Sequence, residues 1–118
     1  MAAGVLTPLA RRLADDFWPG PLALIIEAAS SLHGRLLGGG TSVAVRVPAH
    51  AVARALARAF DHPITATSAN QSGQPAPATA RAVVASLGSA VDVVLDAGPT
   101  PGGAPSTIVD ARGALPIL

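Results

Sequence analysis

Apolar residues recur at helical spacing in three segments of the chain. Thr7 can cap a helix whose first turn contains Pro8, and Val52, Leu56 and Phe60 recur every four residues, which places them on one helix face. The predicted helices cover residues 7–17, 50–60 and 79–87.

Short apolar runs separate these helices and predict β-strands. The runs are Leu22–Ala28, Val43–Val47, Ile64–Thr67, Val91–Leu95 and Thr107–Val109, and residues 115–118 begin a further one. Because strands and helices alternate, the sequence predicts an α/β fold with a parallel or mixed sheet.

The amino-acid composition excludes several kinds of function. The 118 residues suffice for one small domain, and the net charge of +1 gives no nucleic-acid footprint. The chain has no cysteine, which excludes disulfides and thiol catalysis, and its three histidines lack metal-pair spacing, so we interpret them as surface or capping residues. Its first residues show no signal-peptide pattern and it has no apolar run long enough to cross a membrane, so we expect a cytoplasmic protein.

The densest polar cluster follows the run that ends at Thr67. Ser68, Asn70 and Ser72 offer uncharged donors and acceptors, and Gly73 lets the backbone turn or approach a ligand closely. Open α/β sheets bind ligands at the carboxyl ends of their strands. The segment therefore predicts part of a binding site, and the alternative is an ordinary polar turn.

Two further positions have the chemistry of ligand contacts. Arg46 interrupts an apolar strand and shares a face with Ser42 by alternation, so the two could address one ligand, for example a carboxylate. A surface arginine on a half-exposed strand is the alternative. Ser106 follows a Gly/Pro loop, where it could bind a ligand or belong to a plain turn. For Trp18, between a helix and prolines, a packed corner is favoured over a lid.

Four blocks together resemble one family, the YrdC-like threonylcarbamoyl-AMP synthases, in order and spacing. They are Phe17–Leu22, Val43–Pro48, Pro63–Gly73 and Pro105–Asp110. The resemblance implies a twisted, open mixed sheet with flanking helices and a concave, positively lined cleft.

The resemblance also implies a nucleotidyltransferase reaction. L-threonine, bicarbonate and ATP would be condensed to threonylcarbamoyl-AMP and pyrophosphate, with Mg²⁺, for the threonylcarbamoyladenosine modification of tRNA. The implied partners are these substrates and tRNA or the threonylcarbamoyl-transfer machinery, with no membrane.

The family's binding residues map onto six positions of this sequence. By resemblance, L-threonine is bound by Arg46, Ala66 and Ser106, and ATP by Ser42, Ser68 and Asn70. The resemblance assigns no catalytic acid or base and no metal ligand.

The chain departs from the family pattern in its triphosphate site. It has no lysine, so the amino-terminal K-x-R motif is absent, and Arg112 comes too early to match the family's later ATP-contacting arginine. We therefore expect residues 1–118 to be a partial domain that lacks the K-x-R segment, is inactive or weakly active alone, and can self-associate through an exposed sheet edge. The alternatives are an RNA-binding or regulatory YrdC-like module, or a carbamoyl-transfer domain of a hydrogenase-maturation-type enzyme.

Overall fold

A computed structural model describes residues 3–100, 102 and 105–118. The chain divides into two compact units: one runs up to Pro63 and resumes at Pro105, and the other begins at Ile64 and ends before Pro105. The elements of the first unit are β1 (Gly4–Val5), α1 (Pro8–Phe17), β2 (Leu22–Ala28), a 3-10 turn (Gly34–Leu37), β3 (Ser42–Val45), α2 (Ala51–Phe60) and β4 (Thr107–Asp110). The second contains α3 (Ala80–Leu87) and a 3-10 turn (Gly88–Ala90).

The strands of the first unit form one mixed sheet around β2. This strand pairs antiparallel with β1 and β3 and parallel with β4. Ile25 is opposite both Ala44 of β3 and Asp110 of β4, so these two strands lie on different sides of β2. The predicted α/β class with an open mixed sheet is confirmed.

The hydrophobic core lies between one face of this sheet and α1. Leu24 and Ile26 of β2 are fully buried because alternate residues of a strand point to the same face. Val109 of β4 and the small residues Ala10 and Ala14 of α1 complete the contact. The corner that follows α1 is also packed here: Trp18 lies against this core and its indole Nε1 donates to Leu22 O at 2.7 Å.

The predicted helix starts are confirmed by their caps. Thr7, His50 and Thr79 each accept a hydrogen bond from the backbone N–H three residues later, which satisfies a donor that a helix start otherwise leaves open. His33 caps the first 3-10 turn in a similar way, in agreement with the capping interpretation of the histidines.

Two strand predictions are wrong. The described structure has no strand at Ile64–Thr67 or at Val91–Leu95. Residues 64–67 are all exposed, as are 92–95. An apolar run becomes a strand only when a neighbouring strand takes up its backbone hydrogen bonds, and neither run has such a partner in the sheet described above.

The sequence pattern also misjudges the strand ends. β3 stops at Val45 rather than Val47, and residues 115–118 contribute one isolated bridge, between Ile117 and Asp110. β1 was not predicted, because two residues show no period. It depends on a close approach: a Cβ on Gly4 would lie 2.2 Å from Glu27 O, so only glycine fits there.

Candidate ligand-binding site

The face of the sheet opposite α1 is the surface that positions three of the six predicted residues. We call it the open face. It consists of Ala23, Ile25 and Glu27 of β2, Ser42 and Ala44 of β3, and Ile108 and Asp110 of β4, which the strand register sets side by side. Their alternation with the buried residues fixes which way they point.

Ser42 begins β3 and lies on the open face, and continued alternation puts Arg46, which directly follows β3, on the same side. Ser42 is opposite Glu27, whereas Arg46 follows the last strand residue and, by continuation of the register, comes level with Ala23. Four extended residues separate their Cα atoms by about 13 Å. A single carboxylate is too small to contact both, so the two are better suited to different ligands or to different ends of a large one.

Ser106 lies nearer to Arg46 along the sheet. It is half-buried, directly precedes β4 and comes level with Pro21, since Thr107 is paired with Leu22. By alternation with Ile108 it faces the open side. Two strand spacings and a two-residue offset put its Cα roughly 12 Å from that of Arg46, a gap that an arginine side chain and an amino-acid ligand can fill. Of the preceding Gly/Pro loop, Pro101, Gly103 and Ala104 lie outside the described residues.

Arg112 adds an ion pair at the other end of the open face, which no sequence motif predicted. Its Nε and Nη2 donate to Asp110 at 2.9 and 2.6 Å, and its Nη1 lies 3.8 Å from Glu27 Oε1. The hydrogen bonds from Arg112 lower the pKa of Asp110 from its usual 3.8 to about 2. Asp110 is therefore an ionised partner of Arg112 and a poor proton acceptor at neutral pH. The only signal in the sequence was the spacing Asp-x-Arg at a strand end.

The other three predicted residues lie in the second unit. Ala66 and Ser68 are exposed, in a segment without regular secondary structure, and Asn70 is half-buried. Gly73 has a φ of +81°, and Gln74 N donates to Gln71 O at 3.0 Å. The backbone turns at Gly73, which is one of the two roles that the sequence left open, and its positive φ at the third position is typical of a type II turn.

A cavity of about 470 Å³ lies at the start of α1 and contains none of the six predicted residues. Its charged lining residues are Arg12 and Arg112, and the second of these is neutralised by Asp110. Among the described residues no group of three histidines or carboxylates could hold a metal ion, and no described helix combines the length and apolar character needed to cross a bilayer.

Comparison with known proteins agrees with this fold. The family model Sua5/YciO/YrdC, described as telomere recombination, matches residues 2–118. The threonylcarbamoyl-AMP synthase of Pyrococcus abyssi is 38% identical over 109 residues, which are 92% of this chain and 32% of that protein. The Bacillus subtilis enzyme of the same name is 39% identical over 110 residues, again 92% of this chain and 32% of the relative.

Solved structures give the same result. P. abyssi Sua5 complexed with L-threonine superimposes with a TM-score of 0.89 at 36% identity, covering 98% of this chain and 34% of that one. E. coli YciO, at 24% identity, shares the fold with a TM-score of 0.84 over 98% of this chain and 57% of its own. The chain thus spans about a third of the length of these curated synthases. The family model, the relatives and the fold agree, and the chain belongs to the Sua5/YciO/YrdC family.

Proposed function

We propose that this chain supplies the L-threonine site and part of the ATP site of a threonylcarbamoyl-AMP synthase. The observation that carries the proposal is the similarity, over 98% of this chain, to a Sua5 structure that contains L-threonine. The arrangement of Arg46 and Ser106 on one face of the sheet supports it, because an arginine and a hydroxyl suit an amino-acid ligand.

In the proposed reaction, the threonine amine first combines with bicarbonate, which loses its hydroxyl as water, to form the N-carboxy derivative of threonine. An oxygen of that carbamate attacks the α-phosphorus of ATP, and the bond to the β-phosphate breaks, which gives threonylcarbamoyl-AMP and pyrophosphate. Arg46 would bind the threonine carboxylate, and Ala66 and Ser106 are the other two positions that the family resemblance assigns to threonine. Catalysis would come from positioning and charge neutralisation rather than from a side-chain acid or base.

The positions that the family resemblance assigns to ATP are Ser42, Ser68 and Asn70. Mg²⁺ would be held mainly by the ATP phosphates, as is usual for this ion, since the described residues offer no cluster of carboxylates for it. Because the chain covers about a third of the synthases named above and lacks lysine, we expect weak turnover or none from the chain alone. The product would serve the modification of tRNA.

Calorimetric titration with L-threonine tests the role of Arg46. We expect Arg46→Ala to weaken binding about tenfold to a hundredfold, the usual effect of losing hydrogen bonds between charged partners. Arg58→Ala is the matched control, because it removes the same charge from an exposed position on α2. If both variants bind threonine as the wild type does, the assignment of Arg46 is wrong.

A further inference from the structure

We propose that Asn70 acts in the nucleotide site as a positioning residue: it holds the turn after Ser68, and its amide donates no hydrogen bond to a ligand. The statement about the nucleotide rests on the proposed function. The statement about the turn rests on the hydrogen bonds of the second unit alone. We call residues Gln71–Gln74 the Gln71 turn.

The amide of Asn70 is oriented without ambiguity. Its Nδ2 lies 2.9 Å from Gln71 O and 2.7 Å from Gln74 O. An amide oxygen in that place would repel both carbonyls, so the NH₂ group must face them. The two donors of the side chain are therefore both used by the two ends of the Gln71 turn.

The remaining polar atom of Asn70 is unsuited to phosphate. Its Oδ1 is buried and has no hydrogen-bond partner among the described residues. An amide oxygen is an acceptor only, as are phosphate oxygens, so the two cannot bond to each other. Asn70 thus has no atom that can hydrogen-bond directly to a triphosphate, and its proposed effect is through the backbone that it holds.

Hydrogen bonds connect Asn70 to Ser68 on one side and to α3 on the other, through the Gln71 turn. The backbone N–H of Asn70 donates to Ser68 O, so Asn70 connects Ser68 to the Gln71 turn. The Gln71 side chain in turn donates from Nε2 to Ser86 O of α3 at 3.1 Å. Asn70 consequently fixes the backbone between the exposed hydroxyl of Ser68 and a helix, which reduces the conformational freedom that ligand binding would otherwise remove.

The Asn70→Asp variant distinguishes the positioning role of Asn70 from a direct contact between its side chain and the nucleotide. The substitution keeps an Oδ1 acceptor and replaces the NH₂ donor with an oxygen that faces two carbonyls. Without ligand, we expect hydrogen exchange of the Gln74 amide to accelerate about tenfold or more. ATP affinity should fall as far as it does in Asn70→Ala. Protonation gives the introduced carboxyl one donor, so protection should partly return at acidic pH in Asn70→Asp but not in Asn70→Ala.

Gln74→Ala is the matched control, because it removes an exposed side chain and leaves the carbonyl that Asn70 binds. Its exchange rate and ATP affinity should equal those of the wild type. Wild-type protection of the turn in Asn70→Asp would overturn the proposal. So would ATP affinity that is retained in Asn70→Asp and lost in Asn70→Ala, since Oδ1 would then contact the ligand. Another outcome is that the wild type binds no ATP while the Gln74 amide exchanges faster in Asn70→Asp, as expected. In that case the proposed function fails and the role of Asn70 in the turn is supported.

Discussion

Arg112 shows how one side chain can set the charge of a surface. It is shared between Asp110 and Glu27, which lie on neighbouring strands of the open face. The three groups leave this end of the face with a net charge of −1, whereas the guanidinium of Arg46 at the other end is exposed. Positive charge is thus concentrated where the threonine carboxylate is proposed to bind.

Titration of Asp110 tests this pair. Its pKa in the folded protein is about 2, below the usual 3.8, because the charged form accepts hydrogen bonds from Arg112. The stabilisation is therefore complete above about pH 4 and is lost as the pH falls toward 2. NMR titration should give a midpoint near 2 that moves toward 3.8 in Arg112→Gln. Arg58→Gln should leave it in place, and an unchanged midpoint in Arg112→Gln would contradict the pairing.

Helices illustrate the limits of periodicity at the scale of elements. Apolar residues every four positions correctly predicted α2, yet Val52, Leu56 and Phe60 remain 38, 48 and 62% exposed. α1 carries a comparable pattern and buries Ala10 and Ala14 against the sheet. The spacing of apolar residues specifies which helix face is apolar. Whether that face is buried depends on which other element of the fold packs against it.

Thr7 connects α1 to the end of the sheet. Its Oγ1 accepts from Ala10 N at 3.0 Å and donates to Ala111 O at 2.7 Å. We expect Thr7→Ala to lower the free energy of unfolding by about 1–3 kcal/mol, since the cap and a long-range hydrogen bond are both lost. Thr7→Ser keeps the hydroxyl and should cost less. Urea denaturation measures both, and equal losses in the two variants would show that the methyl group, not the hydroxyl, matters.

At the scale of the whole molecule, burial is unevenly divided between the two units. The core of large and small apolar side chains lies in the first unit. In the second unit none of the described residues is buried, and α3 is the only α-helix among them. Local opening costs least where few apolar contacts are broken.

Hydrogen exchange should reveal this division. We expect the amides of α3 to exchange at least about tenfold faster than those of α1, because α1 is packed on the sheet and α3 has no buried residue. Leu24 and Ile26 of β2 should be the slowest. Mass spectrometry of peptides from the two helices makes the comparison within one sample. Equal protection of α1 and α3 would mean that the units open together.

Signals that span only a few residues were enough to predict the three helices and one buried strand. Thr7, His50 and Thr79 mark helix starts because a cap needs only a nearby backbone donor. The nearly continuous apolar run Leu22–Ala28 likewise predicted a buried strand, and glycine at position 73 suits the turn found there. Four motif blocks sufficed to indicate the family.

Which apolar runs pair as strands, and which polar side chains come to lie on one face, depends on the tertiary structure. Ile64–Thr67 was predicted as a strand but has no partner strand in the described sheet, and β1 forms because Gly4 fits against Glu27 O. The shared face of Arg46 and Ser106 follows from strand register, and the contact between Arg112 and Glu27 follows from the pairing of β4 with β2. These are contacts between distant parts of the chain, and no local pattern encodes them.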